Sequence, residues 1–191
     1  MILVFLKAVL SIFIVMDALG NLPIFLSFIR QTPLRQRQKM IDQTVIVAGA
    51  VLFLFLFFGT AILSFFSINV SSFKIAGGLI LLIFGLKLVL GLRILEERAK
   101  TYRAAIIPLA TPLITGPGTI PTIIILVNQY GILLTLLASV VNLILTYFIL
   151  SRVELLHKIL GRQGSDALSK IMGLILTAIA VEFIHNGWMG V

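Results

Sequence analysis

The chain has 191 residues, of which 60% are hydrophobic and 12% charged, with a formal charge of +8 and no cysteine. Soluble domains are about a quarter charged, so this composition excludes an ordinary soluble fold and fits a helical protein whose outer surface meets lipid. The missing cysteines exclude a disulfide framework and a thiolate metal site.

A helix needs about 20 mostly apolar residues to cross the hydrocarbon core. Six stretches qualify: 2–29, 44–66, 72–92, 103–127, 132–151 and 168–186. The first lacks the basic start and small-residue cleavage site of a secretory signal, so it reads as a retained helix. The first and fourth are interrupted by Gly and Pro; the other four are plain. After the first span come Arg30, Arg35, Arg37 and Lys39; after the third, Arg93, Arg98, Lys100 and Arg103; after the fifth, Arg152, Lys158, Arg162 and Lys170. Twelve of the 15 basic residues thus fall on one side of the membrane. The positive-inside rule makes that side cytoplasmic and places both termini outside. The positive charge is explained by topology, so no nucleic-acid partner is expected.

Two segments recur in order. Gly20-Asn21-Leu22-Pro23 is similar to Gly118-Thr119-Ile120-Pro121, and the stretch from Lys74 to Leu81 is similar to that from Lys170 to Leu176. The chain therefore divides into a three-helix repeat over 1–92, a connecting loop over 93–102 and a second repeat over 103–191. Three is an odd number of crossings, so the second copy enters from the opposite face, as in the inverted repeats of many secondary transporters. The fold class expected is an all-α integral membrane protein of six transmembrane helices in two inverted three-helix repeats, with helices 1 and 4 broken near the membrane middle.

The breaks are the chemically informative part. Helix 1 carries Asp17-Ala18-Leu19-Gly20-Asn21-Leu22-Pro23, and helix 4 carries Pro108, Thr111, Pro112, Thr115, Gly116, Pro117, Gly118, Thr119 and Pro121. Proline removes a backbone donor and glycine accepts non-helical angles, so both runs are expected to unwind, with Pro23, Pro112, Pro117 and Pro121 as helix-break residues. Asn21 and Thr119 then stand where side-chain caps of new half-helices belong. Each half-helix would point free N–H groups and its positive end at the membrane interior, where they attract a carboxylate. Asp17 adds a carboxylate able to hold an ammonium group or carry a coupling proton. A site with donors for one end and an acid for the other suits a zwitterion. Asp17, Gly20, Asn21, Thr115, Gly116, Gly118 and Thr119 are the expected substrate-binding residues. The structural alternative is that Asp17 only caps the second half-helix.

Among the other deep charges, Glu182 is a second proton-coupling candidate, whereas Lys87 reads as snorkelling toward an interface. His157 sits in a basic loop and His185 at a helix end, and neither has a second ligand at metal spacing, so no metal and no cofactor are expected. Without a converging intramembrane acid, base or metal group, no enzymatic activity is expected either.

These same residues carry a family resemblance. The run from Asp17 to Phe25 resembles the Asp-Pro-x-Gly-Asn-x-Pro signature of the MarC family of prokaryotic membrane proteins, with Ala18 in place of the usual proline. The run from Pro108 to Ile120 resembles that family's Pro-Leu-Ala-x-Pro-x-x-x-Gly-Pro-Gly-x-Ile signature. The resemblance covers essentially the whole chain. It implies a cell-membrane protein, related to a branch that moves glycine and alanine with the proton gradient, and similar to the LysE-type exporters. Together with the residues it makes the expected function proton-coupled transport of a small neutral amino acid by alternating access. The alternatives are export of other small solutes or drugs, or a scaffold or regulator that transports nothing. The expected partners are a small zwitterionic amino acid and membrane lipid; the sequence leaves the oligomeric state open.

Overall fold

A computed structural model describes residues 2–92, 114–116 and 118–190. The connecting loop 93–102, the first half of the fourth span, and Thr111, Pro112 and Pro117 lie outside the described residues. Those residues form seven helices in chain order: α1 Ile2–Met16, α2 Leu22–Gln31, α3 Leu34–Phe65, α4 Val70–Val89, α5 Thr119–Tyr130, α6 Ile132–Ser151 and α7 Val153–Met189. Four of them, α3, α4, α6 and α7, are long and apolar enough to cross a membrane. Helices α1 and α5 are apolar but shorter. At about 1.5 Å per residue, the 15 residues of α1 are shorter than the hydrocarbon core of a bilayer.

The expected first span is interrupted where the sequence placed the break, between α1 and α2. Helix α6 coincides with its expected bounds. Two segments expected as loops are helical. Residues 34–43 extend α3 at its N-terminal end, because the chain turns sharply at Thr32-Pro33 and re-enters a helix at once. There the Thr32 hydroxyl donates to the Phe28 carbonyl at 3.0 Å, and Arg37 Nε donates to the Thr32 carbonyl at 3.0 Å. The second is 153–167, which extends α7 but is bent at Gly161, whose φ of 66° no helix contains.

The two basic segments meet at one end of the bundle. Arg37 Nη1 lies 2.5 Å from Glu154 Oε1, and Gln38 Nε2 donates to Tyr147 Oη at 3.0 Å.

Helices α4 and α7 run antiparallel in close contact. Their seam is built from small residues seven apart: Ser71, Gly78 and Gly85 on α4 face Gly187, Ala180 and Gly173 on α7. A Cβ at Gly78 would stand 2.8 Å from the Ala180 carbonyl oxygen, and one at Gly173 would stand 2.9 Å from that of Gly85. A glycine on one side of each contact lets the two backbones approach this far, the usual device for joining helices where lipid removes the hydrophobic drive. Leu81 and Leu176 fill the middle of the seam with Val15 and Ala180. The larger core joins α1, α2, α3, α5 and α6 around Ile12, Leu22, Phe25, Leu52, Ile114 and Ile123.

Candidate functional site

The first break is a compact turn organised by Asp17. Its φ of 45° puts it in the left-handed region, which Asp tolerates better than most residues. The sequence pointed to Gly20 as the residue of unusual backbone, yet the structure gives that role to Asp17. Gly20 serves differently. Its N–H donates to Asp17 Oδ1 at 3.1 Å, and a Cβ on Gly20 would fall 2.7 Å from the Asp17 carboxyl carbon. The missing side chain is the space the carboxylate occupies. We therefore expect Gly20→Ala to expel the carboxylate and forfeit its hydrogen bond, at ~1–2 kcal/mol in detergent unfolding.

Asn21 stands at the N-cap position of α2, but its side chain does not cap. It turns back instead: Nδ2 donates to the Asp17 carbonyl at 3.0 Å and lies 3.5 Å from Asp17 Oδ2. Both residues are buried, and Asn21 Oδ1 has no partner among the described residues. The expectation of free N–H groups at the start of α2 is corrected as well. Leu22 N–H donates to the Leu19 carbonyl, and the N–H groups of Ile24 and Phe25 both donate to the Asn21 carbonyl. The turn stays tight enough for its own carbonyls to reach these donors, and Pro23 has none to offer. In this conformation Asn21 Oδ1 is the acceptor of the first break left without a partner among the described residues, and those three donors are engaged.

The second break is seen from Ile114 onward. The Thr115 hydroxyl donates across to the Ala48 carbonyl of α3 at 2.8 Å. Thr119 is the first residue of α5 rather than its cap, which is Gly118; its hydroxyl donates to the Ile114 carbonyl at 2.9 Å. Pro23 and Pro121 both fall in first helical turns, where the sequence placed them. Gly118 is pressed between neighbours: a Cβ there would lie 3.0 Å from Leu81 Cγ and 3.1 Å from Val15 Cγ1. Val15 is two residues before Asp17, so the two breaks lie side by side against the middle of α4. Pro121 extends this contact onto α4 at Gly77.

All seven expected binding residues, Asp17, Gly20, Asn21, Thr115, Gly116, Gly118 and Thr119, are buried. Glu182 is not brought to them. It lies exposed on α7, accepting from Asn186 Nδ2 at 2.9 Å. Lys87 is half-buried on α4 and is not paired with Glu182. His157 belongs to α7, with Nδ1 3.2 Å from Ser165 Oγ.

Sequence reading missed two features. Ser169 of α7 donates its hydroxyl to the Gly20 carbonyl, tying the first break to the α4–α7 pair. We expect Ser169→Ala to lower stability in detergent by only ~0.6–1 kcal/mol, as is usual for hydrogen bonds between membrane helices. The second feature is a fully buried polar face on α6, which packs on α1 away from the described contacts of the breaks: Thr135, Ser139, Asn142 and Thr146. Asn142 Nδ2 donates to the Val9 carbonyl of α1 at 3.0 Å and to the Ala138 carbonyl at 2.8 Å. These four positions repeat at helical spacing, a visible signal within a span that otherwise reads as plain.

Comparison with known proteins agrees with an integral membrane protein. Over residues 2–191 the chain matches the model of the MarC family integral membrane proteins. It is 38% identical to a UPF0056 membrane protein of Methanocaldococcus jannaschii, covering 97% of this chain and 96% of that one. It is 37% identical to a UPF0056 membrane protein of Archaeoglobus fulgidus, covering 93% and 88% of the two chains. Identity to the UPF0056 inner membrane protein YhgN of Escherichia coli is 34%, over 96% of each chain. No solved structure matches the chain. Full-length agreement with the family model, and relatives above 30% identity along nearly their whole length, lead to one conclusion: this chain belongs to the MarC family of integral membrane proteins.

Proposed function

We propose that the protein is a secondary transporter of small neutral amino acids such as glycine and alanine, working by alternating access about its two breaks. The observation that carries the reading is Asp17, a carboxylate buried at a break in one apolar helix and set beside a second break. Placing an acid in a membrane interior is costly, and such acids generally serve a substrate or ion path. Asp17 and the unpartnered Asn21 Oδ1 form an acceptor pair for an ammonium group, and the second break would receive the carboxylate. The Asp17 carboxylate crowds Gly20, and Leu81 and Val15 crowd Gly118, which favours the smallest side chains. Asp17 is also the proton-coupling group of this reading, since Glu182 is exposed on α7.

The inverted repeat belongs to the same proposal. Residues 78 and 85, counted 95 positions along the chain, become 173 and 180. The contacts Gly78–Ala180 and Gly85–Gly173 are therefore exchanged by that step, as a two-fold axis in the membrane plane requires. The meeting of Arg37 with Glu154 supports placing the basic segments together on the cytoplasmic side, with six spans and both termini outside.

Radiolabelled glycine and alanine counterflow in proteoliposomes tests the function. Exchange above that of empty vesicles, competed by unlabelled glycine, is the expected result. Silence toward both substrates would remove the amino acid reading.

A further inference from the structure

Beyond the two breaks, the first turns of α7 present an unusual surface. Gly161 leaves the helical region, so Val153 to Leu160 form a short segment set off from the long helix that follows. Its inner side is held in place. Val153 is buried in the main core and Leu156 packs against it. Glu154 is engaged by Arg37, and His157 Nδ1 lies beside Ser165 Oγ across the bend. The outer side is bare: Leu155 is 48% exposed and Ile159 is 73% exposed. These two are four residues apart and share one helix face. Arg152 and Lys158 flank that face on its two sides, and Arg162 follows the bend; all three are exposed and without a carboxylate partner among the described residues.

An apolar strip bordered on both sides by long basic side chains is the pattern of a helix lying in a membrane interface. Its apolar residues sink to the acyl boundary while the basic ends snorkel to the headgroups. The segment joins α6 to the spanning part of α7, so it stands at the edge of the bilayer that those helices cross. We propose that residues 152–162 form an interfacial docking element that seats Leu155 and Ile159 among lipid chains and binds anionic lipid headgroups through Arg152, Lys158 and Arg162. Zwitterionic headgroups offer no net charge to these three cations, so the fit is to anionic lipid. The proposal is independent of what the protein transports.

The absence of cysteine makes the test direct, because Ile159→Cys can be labelled uniquely with an environment-sensitive fluorophore. The labelled full-length protein is reconstituted in phosphatidylcholine vesicles with or without phosphatidylglycerol. With phosphatidylglycerol present, the emission is expected to shift to the blue, to be quenched by acyl-brominated lipid and to be shielded from iodide. Adding Lys158→Gln and Arg162→Gln should weaken docking about fivefold per charge, returning the label toward water. A label open to iodide and untouched by brominated lipid in both vesicles would overturn the docking. Equal lipid quenching in both vesicles, unchanged by the two Gln substitutions, would overturn the anionic headgroup requirement. Shielding from iodide without lipid quenching would mean that protein covers the face, and that too would overturn the proposal.

Discussion

Gly85→Leu is expected to leave little folded protein. A Cβ at this position would lie 2.8 Å from the Gly173 carbonyl oxygen and 2.9 Å from the Thr177 backbone nitrogen. Both are backbone atoms of a helix, so neither yields unless α4 and α7 separate. Separation would also empty the seam that Gly78 and Ala180 form with them, and would withdraw the surface that supports Gly118 through Leu81. The cost is ~3 kcal/mol or more, the upper range for overpacking, against a total stability of about 5–15 kcal/mol. Thermal unfolding in detergent should show a large fall in midpoint or a loss of the monodisperse protein. Leu86→Ala on the adjoining exposed surface of α4 is the control, expected to change little. An unaltered midpoint for Gly85→Leu would contradict the tight seam.

Asp17→Asn is expected to abolish most transport while leaving the fold in place. The amide keeps a carbonyl oxygen that can accept from Gly20 N–H, so the turn retains its main hydrogen bond. What is lost is the charge that would hold an ammonium group or a coupling proton. A charge-assisted hydrogen bond contributes ~1.5–3 kcal/mol, so glycine counterflow should fall about tenfold or more. The unfolding midpoint measured alongside should stay within a few degrees of wild type. Wild-type rates from an Asp17→Asn protein would assign the carboxylate to the turn alone.

Much of this was legible in the sequence, for physical reasons that differ by residue. Membrane crossing depends on long apolar runs, and α6 shows how sharply such a run is bounded when Gly131 and Arg152 flank it. The first break was legible because Gly20 and Pro23 are incompatible with a continuous apolar helix. Its internal arrangement was not. That Asp17 takes the left-handed turn, that Gly20 makes room for its carboxylate, and that Asn21 faces backward all follow from packing within five residues. Propensity alone favours glycine for the first role and capping for the last. The helical extensions of α3 and α7 were hidden by their polarity, which resembles that of a loop until Met40 and Val153 are seen to reach the core. Ser169 was illegible because its partner, the Gly20 carbonyl, is 149 residues away in sequence.

Thr115 is the position at which binding of a small amino acid between the two breaks can be read out chemically. Thr115→Cys provides a unique thiol in a chain without cysteine, beside the second break and replacing a side chain of similar size. The rate of its modification by a small membrane-permeant thiol reagent would be measured in proteoliposomes, with and without glycine, alanine or tryptophan. Glycine and alanine are expected to slow the reaction, and tryptophan is expected to leave it unchanged. Equal rates in all conditions, from a protein that still exchanges glycine, would place the substrate elsewhere.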